Sequence, residues 1–371
     1  MMNSTQQIEE ILAKNTFTNE DIVCLLSANN PLEIEMIFKK AQKVLFKNCG
    51  NYVYYRGLIE FSNQCINNCL YCGIRAGNKN IRRYKLSEEE IISLAKWCSA
   101  QGYGSVVLQS GERRDNEFVS FVEHIVRRIK KETTSEKLPS GLGITLCVGE
   151  QDRTTYERFF KAGAHRYLLR IETTDPNLFA SIHPPDQKIE TRMECLKNLR
   201  EIGFQVGTGV MIGLPGQTIK HLAADIEFFK NMDIDMIGMG PYIPHHQTPM
   251  KNLEKMIRSP KERLALALRM IAVSRIVLQD VNIAATTALQ ALAENGREQG
   301  LLAGANVIMP QLTPTAVRRD YLLYDGKPCL EEDALLCKDC LKRRIESIGR
   351  IVAIDKWGDS PHATKRISKQ Q

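Results

Sequence analysis

Hydrophobic and polar positions follow a repeating order along this chain, in which short apolar runs precede longer amphipathic stretches. Eight apolar runs are rich in β-branched residues and have the length of buried strands. They cover residues 56–62, 105–111, 143–149, 166–173, 205–214, 236–243, 282–288 and 306–311. Helical periodicity marks the stretches between them, at 87–100, 192–202 and 260–278 for example. The pattern predicts an α/β protein with a complete (β/α)8 barrel of the TIM type, and an open doubly wound sheet is the alternative.

The two ends of the chain lack this alternation. Apolar residues recur at helical spacing in 18–26 and 31–45, so residues 1–50 are predicted to form an N-terminal helical segment. The barrel is predicted over 51–312, and residues 313–371 form a C-terminal helical extension. The last stretch, 361–371, is polar and basic and is predicted to be a frayed tail.

Composition narrows the class of protein. Of the 371 residues, 43% are hydrophobic and 25% are charged, as in a soluble globular protein with a large core. We expect a cytoplasmic protein without a membrane partner, because we find neither an apolar signal segment nor an apolar run long enough to cross a bilayer. The net charge of +7 is spread along the chain, so no nucleic-acid partner is predicted. Eleven cysteines in a reducing compartment indicate metal binding rather than disulfides.

A first cysteine group, Cys65, Cys69 and Cys72, follows the first predicted strand with the spacing C-x3-C-x2-C. Three thiolates on one loop can hold three irons of a 4Fe–4S cluster and leave the fourth iron open to a substrate or cofactor. A structural zinc site usually takes four ligands in two separated pairs. A thioredoxin-type pair of Cys69 and Cys72 would leave Cys65 unexplained. The cluster hypothesis uses all three cysteines.

A second group, Cys329, Cys337 and Cys340, has the spacing C-x7-C-x2-C beyond the last predicted strand. We interpret it as the site of an accessory iron–sulfur cluster, either 2Fe–2S or 4Fe–4S. A zinc-stabilised cap and unligated thiols are the alternatives.

Polar residues at the ends of the predicted strands are candidates for an active site, since a barrel places its site at the C-terminal ends of its strands. They are Ser62, Gln109, Ser110, Glu112, Glu150, Arg170, Glu172, Thr286 and Thr287. For each, the alternative is a structural role as a helix cap or a member of a polar layer.

A small anionic, amino-acid-like substrate would suit part of this set. An arginine fork binds a carboxylate through two hydrogen bonds, and Arg170 could do so beside the hydroxyls of Thr286, Thr287, Tyr321 and Tyr324. The threonines have β-propensity as their alternative explanation. For the tyrosines the alternative is packing at i, i+3 on a C-terminal helix, and His245 with His246 is interpreted as a loop feature rather than a metal pair.

The first cysteine loop, with Cys65, Cys69, Tyr71 and Cys72, resembles the radical S-adenosylmethionine (SAM) superfamily. The resemblance implies that SAM binds the open iron and is cleaved reductively to methionine and a 5′-deoxyadenosyl radical. Further positions match the SAM-binding elements of that superfamily. They are Gln109 and Ser110 for the methionine amino group, Glu172 for a carboxylate contact, Arg192 for the methionine carboxylate and Met211 beside the adenine.

A narrower resemblance covers residues 50–358. The segments 69–80, 107–112, 167–173, 212–218, 238–245 and 304–310, in this order, are similar to the HydE-type [FeFe]-hydrogenase maturases. That family implies assembly of the diiron subcluster of the H-cluster from a small cysteine-containing organometallic substrate. It implies a reduced electron donor such as ferredoxin or flavodoxin and the other hydrogenase maturases as partners, and some of its members carry an auxiliary cluster at the second cysteine spacing.

Other functions remain open from the sequence. Methylornithine synthase and biotin synthase share the barrel and the cluster loop, so a radical SAM amino-acid mutase or synthase is the first alternative. A non-catalytic iron–sulfur carrier and an RNA-modifying radical enzyme are the others. The last would need a basic face and an RNA-binding appendage, which the sequence does not indicate.

Overall fold

A computed structural model describes residues 4–331 and 334–369, without the side chains of Glu254 and of 334–337. Its strands are β1 Tyr52–Ser62, β2 Ser105–Ser110, β3 Gly143–Cys147, β4 Arg166–Leu168, β5 Gln205–Thr208, β6 Met211–Ile212, β7 Met236–Ile237, β8 Gly240–Pro241, β9 Asn282–Ile283, β10 Val307–Ile308 and β11 Ile351–Ala353.

Eight of these strands form one parallel sheet in the order β10-β1-β2-β3-β4-β5-β7-β9. The two ends of this order meet: Ala284 bridges Val307, Ala285 N donates to Val307 O at 2.9 Å and Asn306 N to Ile283 O at 2.9 Å. The parallel α/β prediction is therefore confirmed as a curled eight-stranded sheet. β11 pairs with β1 outside this order, and β6 with β8 in a second small sheet.

Helices surround the sheet. They are α1 Ser4–Ala13, α2 Asn19–Ser27, α3 Pro31–Cys49, α4 Glu88–Ala100, α5 Asn116–Glu132, α6 Arg153–Ala162, α7 Pro176–Ile182, α8 Ile189–Ile202, α9 Ile219–Asn231, a 3₁₀ helix Pro249–Met256, α10 Pro260–Leu278, α11 Thr287–Leu292, α12 Gly296–Leu302, α13 Thr315–Arg318, α14 Ala334–Ser347 and α15 Pro361–Ser368. Within the described part of the chain, no helix has both the length and the apolar character needed to cross a bilayer.

Capping residues explain why several helices begin where the sequence predicts. Ser87 and Glu90 form a capping box at α4, and Ser259 with Glu262 does the same at α10, where Pro260 occupies the first turn. Each box satisfies amide groups that the first helical turn leaves without a partner.

Several apolar runs are longer than the strands they form. The run 205–214 is divided into β5 and β6 at Gly209, where a Cβ atom would lie 2.2 Å from Gly238 O. The run 282–288 leaves the sheet after Ile283, because Thr286 is already the N-cap of α11. Apolar residues continue past the sheet in both runs because they line the barrel mouth.

The end of the C-terminal extension, from β11 to α15, is packed at the end of the barrel opposite the mouth, and the prediction of a frayed tail is wrong for 361–369. α15 is anchored by Arg366, which pairs with Asp233 and Asp235, and by His362, which contacts Asp233 and Asp280. The sequence shows only a polar, basic segment, because its carboxylate partners lie far away in the chain. The division into an N-terminal segment, a barrel and an extension stays a prediction.

Candidate metal centre and active site

The first cysteine group lies on the long loop between β1 and α4, at the C-terminal ends of the strands. Backbone hydrogen bonds fix this loop, from Ile66 N to Glu112 O at 2.9 Å and from Leu70 N to Ile182 O at 2.9 Å. Arg83 adds donors to four carbonyl oxygens at 2.7–3.1 Å, those of Asn63, Ile74, Arg75 and Asn78. The loop is thus held in one shape without regular secondary structure.

Two glycines permit the close packing of this loop. A Cβ atom on Gly111 would lie 2.3 Å from Gln64 O, and one on Gly73 would lie 2.0 Å from Leu322 O. Both distances are far inside van der Waals contact with backbone atoms, so larger residues would displace the cysteine loop.

The chemistry of the three thiols suits a polynuclear cluster. Burial raises the pKa of Cys69 to about 12, and it also raises those of Cys65 and Cys72. Thiols in such a place become thiolates when metal cations compensate their charge. All three thiols line one cavity, and a cubane, whose irons each take a separate thiolate, could be held there.

Glu172 is held in a strained backbone conformation beside this loop. Its φ angle is +66°, in the left-handed region, and its side chain is buried. Glu172 N donates to Gly209 O at 3.0 Å, Met211 N donates to Glu172 O at 2.9 Å, and Arg170 Nε donates to the carboxylate at 3.1 Å. Strain of this kind persists where the surroundings over-determine it, and it is common at functional sites.

Arg192, on α8, reaches the same place through a network of charges. It donates to Glu150 and to the backbone oxygen of Arg170. Arg114 joins Glu150 at 2.9 Å and also pairs with Glu112. The strand-end acids Glu112 and Glu150 therefore orient arginines. Ser62, another strand-end candidate, donates to Tyr84 O at 2.9 Å and has a structural role.

Two adjoining cavities bring together most of the predicted site residues. The cavity at the cysteine loop, about 660 Å³, is lined by all three cysteines and by Gln109, Ser110, Glu112, Glu172, Arg192 and Tyr321 among others. The second, about 910 Å³, lies deeper between the strands, and its walls include Met211, Thr286, Thr287 and Tyr324. Both are lined by Tyr71, Gln109, Arg170, Glu172 and Leu323. Residues predicted for a cofactor thus adjoin residues predicted for a substrate.

The two predicted substrate tyrosines lie on a loop between α13 and α14, so the alternative of helix packing is wrong. Tyr321 accepts a hydrogen bond from Gln109 Nε2 at 3.3 Å. The hydroxyl groups of Tyr324 and Thr287 are 2.9 Å apart, whereas Thr286 donates to Met239 O at 3.3 Å.

Sequence reasoning missed Glu60 and Lys327 in the second cavity. Lys327 Nζ lies 2.6 and 2.8 Å from the two carboxylate oxygens of Glu60 and 3.1 Å from Tyr321 O. Both side chains are buried, and Gln311 also donates to Glu60. The pair ties the loop of Tyr321 to β1. An acid inside an otherwise apolar strand was the available signal.

His245, His246 and Asp325 come within 4.8 Å of one another near Gly73. Gln247 N donates to Nδ1 of His245 at 3.1 Å, so the neutral ring carries its proton on Nε2, the atom nearest Asp325. His245 in this form offers no free lone pair, and the interpretation of the two histidines as a loop feature stays a prediction.

The second cysteine group lies at the start of α14 and just before it. Cys329 precedes α14, has a φ angle of +62°, and its carbonyl accepts from Arg318 at 2.8 Å. Cys340 lies on α14, and Cys337 is on the same helix with its side chain outside the described set. Neither Cys329 nor Cys340 lines the two cavities.

Comparisons with known proteins agree with this geometry. The Radical SAM superfamily model matches residues 59–229. The chain is 44% identical over 354 residues to the [FeFe] hydrogenase maturase subunit HydE of Thermotoga maritima, covering 95% of this chain and 97% of that protein. It is 28% identical to 3-methylornithine synthase of Methanosarcina acetivorans, with 92% of each covered. The crystal structure of a methylornithine synthase superposes with a TM-score of 0.77 at 25% identity, covering 94% of this chain and 98% of that one.

The superfamily match spans the cysteine loop and the strands that line the first cavity. Membership of the superfamily implies a 4Fe–4S cluster and SAM. The three thiols and the polar side chains of the first cavity have the chemistry that these two groups need. The similarity to HydE extends over nearly the whole of both chains and confirms the narrower resemblance. The chain is a radical SAM enzyme and belongs to the HydE family of [FeFe] hydrogenase maturases.

Proposed function

We propose that this enzyme acts in assembly of the diiron subcluster of the [FeFe]-hydrogenase active site, on a small cysteine-containing organometallic substrate. The observation that carries the proposal is the pair of adjoining cavities that share Arg170 and Glu172. It is supported by the 44% identity to HydE.

The first cavity is assigned to the cofactors. Cys65, Cys69 and Cys72 would hold three irons of the 4Fe–4S cluster. When bound, the cluster and SAM together supply a 5′-deoxyadenosyl radical. We assign Gln109 and Ser110 to the SAM amino group, Arg192 to its carboxylate, Glu172 to a polar contact, and Tyr71 and Met211 to flanking packing. Glu150 keeps Arg192 oriented, since the two groups are buried and paired.

The second cavity is assigned to the substrate. Arg170, Thr286, Thr287 and Tyr324 would orient a small anion there, and Tyr321 would do so from the adjoining wall of the first cavity. Met239, Tyr242 and Met309 give apolar walls. A closed site protects a reactive radical from water and side reactions. We propose a complete (β/α)8 barrel on this basis, supported by the hydrogen bonds between the segments of β9 and β10.

An accessory iron–sulfur cluster, 2Fe–2S or 4Fe–4S, is proposed at Cys329, Cys337 and Cys340. Its role is peripheral, because Cys329 and Cys340 lie outside both cavities. In a Cys340→Ala variant the iron of this cluster should be lost while SAM cleavage is kept. Loss of SAM cleavage together with this iron would contradict the assignment.

The enzyme needs electrons from a partner, because SAM is cleaved reductively. We expect a reduced electron donor such as ferredoxin or flavodoxin, and contact with the other hydrogenase maturases, in the cytoplasm. No nucleic-acid or membrane partner is proposed. A radical SAM amino-acid mutase or synthase is the second candidate, supported by the superposition with methylornithine synthase.

Anaerobic reconstitution with iron and sulfide, followed by dithionite and SAM, tests the function. We expect an electron paramagnetic resonance signal of a reduced 4Fe–4S cluster that shifts with SAM, and formation of 5′-deoxyadenosine. A cluster without cleavage would leave an iron–sulfur carrier. Addition of a synthetic iron complex carrying cysteine, carbon monoxide and cyanide, compared with free amino acids, then separates the maturase from a mutase.

A further inference from the structure

The cysteine loop reaches the protein surface with an apolar tip. Ile66, between the first two cysteines, is 54% exposed, which is unusual for a large aliphatic side chain. Met256, at the end of the 3₁₀ helix, is 65% exposed. The two segments meet where Met250 N donates to Leu70 O at 3.3 Å, so both apolar side chains belong to the same end of the barrel.

Cations lie on both of these segments. Arg75 follows the cysteine loop, and its segment returns to it through the bond from Ala76 N to Asn67 O at 2.8 Å. Asn78 Nδ2 donates to Gln247 Oε1 at 3.0 Å and joins this segment to the approach to the 3₁₀ helix. The cations of the two segments are Arg75, Lys79, Lys251, Lys255 and Arg258.

None of these five cations forms an ion pair with a carboxylate whose side chain the structure describes. Lys79, Lys251, Lys255 and Arg258 are exposed. The neighbouring segment that contacts Cys69 carries one exposed acid, Asp186, with Lys188 two residues away. The sequence of the 3₁₀ helix also contains Glu254, and Asp325 is bonded to His246 nearby, but the cations still outnumber the acids and the face has a net positive charge.

We propose that this face, Ile66 and Met256 with the five cations, docks an acidic one-electron carrier protein. The proposal rests on the proposed function, which requires an electron from outside the chain. One electron leaves the reduced carrier, which is oxidised, and reduces the 4Fe–4S cluster that Cys65, Cys69 and Cys72 would hold. No covalent bond forms or breaks in this step. A positive rim steers an acidic partner and speeds its encounter, and an apolar centre allows close approach.

The test uses the full chain with reconstituted clusters and compares two reductants, reduced flavodoxin and dithionite. A double variant, Lys79→Glu with Lys255→Glu, should lower kcat/KM for flavodoxin about tenfold at low salt. Its dithionite-supported formation of 5′-deoxyadenosine should stay at the wild-type rate. Wild-type turnover with flavodoxin should fall as salt rises, and that dependence should weaken in the variant.

A matched control reverses two exposed cations at the opposite end of the barrel, Lys161→Glu with Lys356→Glu. It should behave as wild type with both reductants. The proposal is overturned if this control loses flavodoxin turnover equally, or if the first variant keeps it. Absence of dithionite-supported cleavage in the wild type would instead overturn the proposed function. Met256→Gln gives an independent check, since it should slow only the flavodoxin reaction.

Discussion

The barrel has a mouth, at the C-terminal ends of its strands, and a floor, at their N-terminal ends. Both ends bury charged side chains, but these side chains have different partners at the two ends. At the floor, Arg166 donates to Asp359, Trp357 O and Ser105, and Gly358 O accepts from Asn282 at 2.8 Å. At the mouth, half-buried thiols with raised pKa values and a strained Glu172 line a cavity. The floor is closed by partners within the chain, whereas the mouth keeps groups whose best partners are a cluster and a ligand.

At the floor, a half-buried carboxyl group stays ionised because positively charged and hydrogen-bonding partners surround it. Although burial opposes ionisation of Asp359, its bond to His165 and the charge of Arg166 hold its pKa well below the usual range. At the mouth, burial raises the thiol pKa values. A buried charge is stabilised only by a matched partner, so an unmatched set of ligand atoms indicates a site.

The largest expected effect is at the mouth. Replacement of Cys69 by alanine should abolish the first cluster and all 5′-deoxyadenosine formation, because a thiolate ligand is lost. Iron and sulfide content, with chromatography of the nucleoside product, measures it. Cys24→Ala, on α2, serves as the control and should keep both. Retained cleavage in the Cys69 variant would contradict the cofactor assignment.

At the floor, Asp359→Asn should reduce the free energy of unfolding by about 3 kcal/mol, because it leaves buried Arg166 without its carboxylate. Thermal unfolding measures the change. Asp355→Asn is matched, since among the described residues Asp355 pairs with exposed Lys137 alone, at 3.6 Å, and it should cost about 0.5 kcal/mol or less. An equal decrease in the free energy of unfolding in both variants would mean that the Arg166–Asp359 pair stabilises the protein no more than a surface ion pair does.

Glu172→Gln tests the charge at the mouth without changing the backbone strain, because glutamine at this position would have the same left-handed backbone as glutamate. The dissociation constant for SAM should rise about tenfold or more, as expected when a charged hydrogen bond of about 1.5–3 kcal/mol is weakened. Equilibrium binding to the reconstituted enzyme measures it. Glu190→Gln, exposed on α8, should leave the constant unchanged. Unchanged binding in the Glu172 variant would remove this residue from the site.

The smallest effect concerns pH at the floor. Both ring nitrogens of His362 contact carboxylates, and its bond with Asp280, followed by that with Asp233, raises its pKa above the usual value. Its stabilisation is therefore full below the unfolded pKa and is lost as pH rises through the folded one. The thermal midpoint should fall from pH 6.5 upward in the wild type and less in His362→Gln. A midpoint with the same pH dependence in both would contradict this ion pairing.

A second histidine at the floor, His165, has its pKa shifted in the opposite direction. Burial, with the charge of Arg166, lowers its pKa to about 4. It destabilises the protein only as pH falls below its unfolded value, so it does not contribute above pH 6.5. The difference between the wild type and His362→Gln removes the other groups that titrate there, such as Asp225, whose pKa burial raises to about 7.

Local information in the sequence predicted much of the architecture. The apolar runs locate all eight strands of the sheet, and the boxes at Ser87 and Ser259 locate two helix starts. The spacing of Cys65, Cys69 and Cys72 indicated a cluster, since ligands on one loop are near each other in any fold. Each of these features involves residues within a few positions of one another.

Tertiary structure alone decided which distant groups meet. Lys327 and Glu60 are 267 positions apart and form a buried pair, and α15 is ordered by carboxylates 82 to 133 positions before the side chains that they contact. The left-handed Glu172 likewise depends on β5 and the residues after it. Capping and ligand spacing act through short chain separations that the sequence records directly, whereas the energy of a buried ion pair depends on a distance that only the folded chain determines.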